Sequence, residues 1–267
     1  MAGQDFLTII ASRPQTECMM RVWDLPAGYL NRGSLLGEHR ELHGLRSILV
    51  NGKDGYSRHP ETLRWVGCLS GLDRRHDLLA AEMRLRGYSD RTPVDSHPDE
   101  VTWPSSYVTE PMEQIRLLQA KYVDKPSGRI PLPANAHELW AHHKYSVLAR
   151  DPQEYRRIGR AVANMSGIAD FSALGAELVH LLRVVPPPGR VVNALDHMWG
   201  YVAPCASEEE RSYGRGSPAR LLETIATLAG RTQERYLMRS TALSELAVFI
   251  REDDTDVPGN SAEEKRS

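Results

Sequence analysis

No run of 18 apolar residues occurs anywhere in the 267-residue chain, so the sequence offers no membrane-spanning helix. Cysteine is scarce. Cys18, Cys68 and Cys205 are too few and too scattered for a disulfide framework or a four-thiolate zinc site, and a reducing, cytoplasmic setting is the expectation. Charge of one sign is missing as well: 33 Lys and Arg stand against 35 Asp and Glu, for a net charge of -2. That excludes a basic coat for wholesale nucleic-acid binding, though not a local basic groove. There is no G-x-G-x-x-G, no Walker loop, no zinc-deaminase signature and no H-E-x-x-H frame. No metal site and no cofactor are therefore expected. Strand-like alternation is almost absent, and neither an internal repeat nor a low-complexity tract appears.

What is present is an ordinary globular composition, 41% hydrophobic and 25% charged, long enough to bury a core without staples. Helical stripes separated by Gly, Pro and Asn clusters predict an all-α protein. From Ser34, a plausible N-cap, Leu35, Leu42, Leu45, Ile48 and Leu49 fall on one stripe. Pro60 can open a helix over ETLRWVGCLSGL that merges with, or bends into, DRRHDLLAAEMRLRG and stops at Gly87. Further helical runs are MEQIRLLQAKYV, AHELWAHHKYSVLAR, EYRRIGRAVANM, VVNALDHMWGYV, SPARLLETIATLAG and TQERYLMRSTALSELAVFI, with Pro186-Pro187-Pro188-Gly189 as the clearest mid-chain breaker. Residues 1–19 read as a flexible leader and 252–267 as a disordered tail. The soft boundary between an N-terminal unit (20–155) and a C-terminal one (156–251) falls near residue 155.

The stretch from Met20 to Arg160 holds more basic than acidic residues, and the remainder holds fewer. A nucleic-acid face, if present, belongs to the first half. Arginine suits phosphate because its planar fork donates two bonds at once, and Arg21, Arg40, Arg46, Arg74 and Arg75 are candidates there, joined by Lys144. On amphipathic helices such residues can equally face solvent with no ligand. Glu41 stands among His39, Arg40 and His43 beside the apolar stripe, where a partly shielded carboxylate could steer a proton or a cationic intermediate. A surface salt bridge would leave the same pattern. His142 and His143 are adjacent and so diverge on a helix.

The segments MRVWDLPAGYL, LLGEHREL, HPETLRW and RRHDLLAAEMRLRGY resemble the pyrimidine-dimer DNA glycosylase family, to which a small phage endonuclease belongs. The most specific pieces are Arg40-Glu41-Leu42 and the E-x-x-x-R-G-Y of Glu82 to Tyr88. With LWAHHKYSVLAR, the resemblance covers roughly 20–150. It implies an all-α fold, a glycosylase reaction on cyclobutane dimers in ultraviolet-damaged duplex DNA, and strand cleavage at the resulting abasic site. It also implies that the nucleophile is the α-amine of the mature chain, here Met20, assisted by Glu41, with Arg21 and Arg40 as basic neighbours. An α-amine with a pKa near 7.7–8.0 keeps a substantial neutral fraction at cellular pH and can attack where lysine, at about 10.4, is almost wholly protonated. The active form is accordingly expected to begin at Met20, since a preceding peptide bond would replace the amine by an amide. Gly44 stands where the phage enzyme has a further phosphate-contacting arginine.

The C-terminal part resembles a bacterial helical family, domain of unknown function 1722, over roughly 140–250. That resemblance brings no activity. Its polar candidates are His142, His143, Lys144, Tyr145, Arg150, Tyr155, Asn193, His197 and Tyr201, read as a mixture of core and cap residues. Two alternatives stay open beside the glycosylase: a nucleic-acid-binding module without lyase chemistry, and an enzyme on a free nucleobase or nucleoside whose pocket the C-terminal half completes. The oligomeric state is open, with a monomer as the simplest case.

Overall fold

The computed structural model describes residues 20–94, 100–165 and 167–250. The leader before Met20 and the tail from residue 252 lie outside the described residues. The protein is all-α, with an N-terminal helical region packed against a C-terminal one.

An extended segment from Met20, closed by a short 3-10 turn at Ala27–Tyr29, leads into α1 (Arg32–Asn51). The side chain of Asn31 caps α1 by accepting the backbone N–H of Ser34, and Gly52 ends it in the left-handed region at φ 60°. Ser34, the cap expected from sequence, is instead the buried third residue of the helix. After α2 (Pro60–Arg64) the chain breaks at Gly67, with φ 77°, before α3 (Leu69–Leu85). The break falls earlier than the sequence bend near residue 72 because Trp65 turns wholly into the core. Leu35, Leu42 and Leu45 of α1, Leu72, Leu79 and Met83 of α3, and Ile115 and Leu118 of α4 (Pro111–Lys121) enclose Val22, Leu25, Tyr29 and Leu30. The first segment is thus swallowed by its own helices.

The C-terminal region is built from α5 (Ala136–Leu148), α6 (Pro152–Val162), α7 (Ile168–Arg183), α8 (Pro188–Val202), α9 (Glu208–Gly214) and α10 (Pro218–Thr232), followed by the single-turn α11 (Arg235–Met238) and α12 (Ala242–Glu245). One core joins Tyr145 and Leu148 to Leu195, Met198, Ile225, Leu228 and Leu243. A second joins Leu139 and Val147 to Ile158, Val162, Leu174 and Leu178. Helix α5, which precedes residue 155, therefore serves both C-terminal cores. Sequence reading names no helix between residue 165 and Pro186, yet α7 lies there and packs on α4. Gly175 makes that approach possible, since a Cβ on it would collide with the side chain of Met112. The long helical run expected after Thr232 is broken by Gln233 in the left-handed region, and again after Met238. Helix α12 folds back onto α3. None of the described helices is long and apolar enough to cross a membrane.

Candidate active site

The first described residues run along α1, and two glutamates one turn apart receive their backbone. The N–H of Arg21 donates to Glu41 Oε2 at 2.7 Å, and the N–H of Trp23 donates to Glu38 Oε1 at 3.1 Å. An extended chain advances about 6.6 Å in two residues, and the flexible glutamate side chains match this to the shorter helical rise. Glu38 is held from the other side by a buried bidentate pair to Arg75, at 2.8 and 2.9 Å. Burial pushes the Glu38 carboxyl up, and the Arg75 guanidinium offsets part of that. Downstream, the N–H of Asp24 donates to Gln114 Oε1, and the Asp24 carboxylate takes Arg64 at 2.7 Å and Arg183 at 2.9 Å. With its path fixed from residue 21 to 30, the chain sets Met20, partly buried against the N-terminal core, next to the residue bonded to Glu41.

The candidate cations separate into two groups. Arg21 is half-buried over the Trp23 ring, with a long contact to Thr109, and Arg40 is exposed on α1 with only its own helix carbonyl at Leu36. Arg46 is partly exposed but bonded to Asp73 at 2.8 Å. Arg74 and Arg75 do not face solvent at all. Arg75 is spent on Glu38 and the Leu25 carbonyl, while Arg74 lies over the Phe249 ring, so both of these candidates are placed in the interior. Lys144 is far from this group in the chain and packs over Tyr145, Tyr201 and Tyr236, at 4.7, 5.6 and 4.2 Å from their ring centres. It belongs to an aromatic cluster of the C-terminal half.

The E-x-x-x-R-G-Y segment is a clasp between the halves. Glu82, wholly buried, accepts Arg86 at 2.7 Å, Arg129 at 2.7 Å and the Ser244 hydroxyl at 2.6 Å. Burial alone would raise this carboxyl, but the two guanidiniums outweigh it and hold it low. Arg86 passes on to the carbonyls of Ala27, Gly28 and Leu30, and Arg129 to those of Met238 and Ser240. Gly87 follows at φ 76°, which lets the Tyr88 N–H close on the Met83 carbonyl.

Of the later candidates, His142, His143, Tyr145 and Arg150 are buried, Tyr155 is half-buried, and Asn193, His197 and Tyr201 are exposed on α8. His142 meets the Tyr29 hydroxyl at 3.1 Å, and His143 Nδ1 meets the Leu139 carbonyl at 2.7 Å. Burial depresses both imidazoles, to about 3 for His142 and about 4 for His143, so both are neutral core members. Arg150 bridges Glu245 to the carbonyls of Leu182 and Val184. A cavity of about 70 Å³ lies between the halves beside Trp23, Asp24, Trp103, Arg183, Ser244 and Glu245. It is well below the ~300–1,000 Å³ of small-molecule pockets.

Sequence reading missed one constellation. His39 and His43, one turn apart on α1, meet His76 of α3 and Asp90, with ring centres 4.8 to 4.9 Å apart among the three imidazoles. Asp90 Oδ1 lies 3.3 Å from His39 Nε2, and Oδ2 lies 3.5 Å from His76 Nε2. His43 Nε2 contacts the Thr92 hydroxyl at 2.8 Å. Burial and the neighbouring imidazoles lower His39 and His43, and burial of Asp90 is outweighed by the Thr92 N–H and the three rings, so its carboxyl is lowered too. The H-x-x-x-H spacing of His39 and His43 was a readable signal; its completion by His76 and Asp90 was not.

No curated protein and no solved structure matches the chain. Two family models match separate parts of the chain: residues 144–246 match a protein family of unknown function (DUF1722), and residues 20–96, which hold the clamped segment, Glu41 and Glu82, match the pyrimidine dimer DNA glycosylase family.

Proposed function

We propose that the protein is a DNA glycosylase with abasic-site lyase activity on pyrimidine dimers in duplex DNA, acting through the α-amine of a chain that begins at Met20. The observation that carries this reading is the 2.7 Å bond from the Arg21 N–H to Glu41, which ties the residue after the proposed nucleophile to the proposed acid–base group. The family match over residues 20–96 supports the same assignment. In the reaction the amine nitrogen bonds to C1′ of the damaged nucleotide as the glycosidic C–N bond breaks and its electron pair leaves with the base, which is protonated. The amine proton passes to the Glu41 carboxylate. The C1′–O4′ bond then opens as Glu41 returns the proton to O4′, giving the imine; the imine acidifies C2′, and loss of that proton expels the 3′ phosphate. Half-buried Arg21, next to Met20, and exposed Arg40, next to Glu41, are the residues proposed to hold flanking phosphates.

The test compares the full-length chain with one starting at Met20, each incubated with irradiated duplex and borohydride. Trapping of DNA on the Met20 amine alone, located by mass spectrometry, is the expected result. Equal trapping with residues 1–19 intact would move the nucleophile elsewhere, for which Lys144 is the first side chain to test. Binding without trapping or cleavage by either form would make the protein a binding module.

A further inference from the structure

We infer that His39, His43, His76 and Asp90 form a binding site for a divalent transition metal ion of the zinc class. One potential ligand atom from each residue lies within 4.8 Å of all the others. In a tetrahedral zinc site with bonds of about 2.0–2.1 Å, neighbouring ligand atoms are separated by roughly 3.3 Å. The Asp90 carboxylate approaches two of the rings at about that length, Oδ1 at 3.3 Å from His39 Nε2 and Oδ2 at 3.5 Å from His76 Nε2. Small side-chain rotations close the rest.

The second observation is what these nitrogens lack. His39 is 7% exposed and His76 3%, yet neither Nε2 of His39 nor either nitrogen of His76 has a hydrogen-bond partner among the described residues. Burying an imidazole without a partner is costly, and two such rings beside a third imidazole and a carboxylate form a costly arrangement for packing alone. A cation bound by one nitrogen of each ring satisfies His39 Nε2 and one nitrogen of His76 together. His76 Nδ1 lies 3.8 Å from Asp77 Oδ1, a carboxylate near enough to act as an outer partner once the ring is turned onto an ion. The nearest competing cation, Arg46, is already paired with Asp73. Three imidazoles and one carboxylate are a borderline donor set, which suits Zn²⁺ rather than Ca²⁺ or Mg²⁺.

The four donors come from α1, α3 and the segment after Gly87, so the ion would staple that segment onto the helix pair. A four-donor set closes the coordination sphere, as structural rather than catalytic sites do. Two of its donors, His39 and His43, flank Glu41 on α1, but the inference does not rest on the Glu41 chemistry.

The experiment uses the full chain, stripped with a chelator and then titrated with Zn²⁺ or Co²⁺. Equilibrium dialysis with elemental analysis should give one ion per chain, Co²⁺ should give intense visible bands of a tetrahedral site, and Zn²⁺ should raise the Tm. His43→Ala and Asp90→Asn, both at half-buried positions, should weaken binding by more than the about 10–100-fold that loss of an outer partner costs. Removing the exposed His197 should change nothing. Circular dichroism of each variant checks that the fold survives. Absence of tetrahedral Co²⁺ bands in the full chain, or undiminished binding by a folded His43→Ala/Asp90→Asn double variant, would overturn the assignment.

Discussion

The carboxylate of Glu41 is partly exposed, accepts a backbone N–H and has no arginine partner in the structure, unlike its neighbour Glu38. Glutamine at position 41 can still accept the Arg21 N–H, so Glu41→Gln should leave the free energy of unfolding within about 1 kcal/mol of the parent. It should abolish most cleavage of dimer-containing duplex by the chain starting at Met20; parental rates in that variant would remove Glu41 from the mechanism. His142 and His143 act on stability instead. Their folded values of about 3 and about 4 lie below the ordinary 6.5, so the unfolded chain binds more protons between those limits. Their contribution is present above pH 6.5 and is lost on acidification, by up to about 1.4 kcal/mol per pH unit for each. Glu61 works the other way, because burial raises it from 4.5 to about 7, and its contribution fades as pH climbs through that window. Imidazole NMR titration separates the two effects: at pH 5 both histidine rings should remain neutral in the folded protein. Charged rings at that pH would contradict their burial.

At the scale of elements, helices with local punctuation were legible. The apolar stripe of α1, the proline start of α2 and the glycine stop of α3 follow from side chains within a turn of the boundary. The break at Gly67 and the whole of α7 were not legible, because Trp65 burial and the Gly175–Met112 contact are set by partners distant in sequence. The same limit divides the sites. Arg74 and Arg75 look like surface cations until Phe249 and Glu38 are placed against them. Glu82, singled out by its motif, holds structure across the halves rather than chemistry. Glu82→Gln leaves Arg86 and Arg129 short of a charge and should destabilise the protein by about 3–5 kcal/mol in denaturant unfolding. Gly87→Ala, at φ 76°, should cost about 1 kcal/mol without altering the Glu82 network. A Glu82→Gln loss no larger than that of Gly87→Ala would mean that the clasp contributes little.

Across the whole molecule, the two halves share charged interior contacts as well as apolar ones. Asp24 is paired with Arg183, Glu82 with Arg129 and Ser244, and α12 rests on α3. Such coupling predicts one cooperative thermal transition for the full chain, with coincident far-ultraviolet and tryptophan signals. A fragment ending at residue 130 keeps its apolar core but leaves Glu82 without Ser244 and Asp24 without Arg183. It should show no cooperative transition, and a fragment that melts sharply at the parental temperature would show that the halves are energetically independent.

The clamp on the first segment also bears on the order of synthesis. Residues 21–30 leave the ribosome before all of their partners, which include Gln114 and Arg183; Arg86, which holds three of their carbonyls, is joined through Glu82 and Arg129 to the carbonyls of Met238 and Ser240. A nascent chain therefore carries this segment only partly anchored, by Glu38, Glu41, Arg75 and Arg86, until the later helices have emerged. Translation itself would delay the assembly of the end on which the proposed chemistry depends, and truncated products would carry that end unassembled.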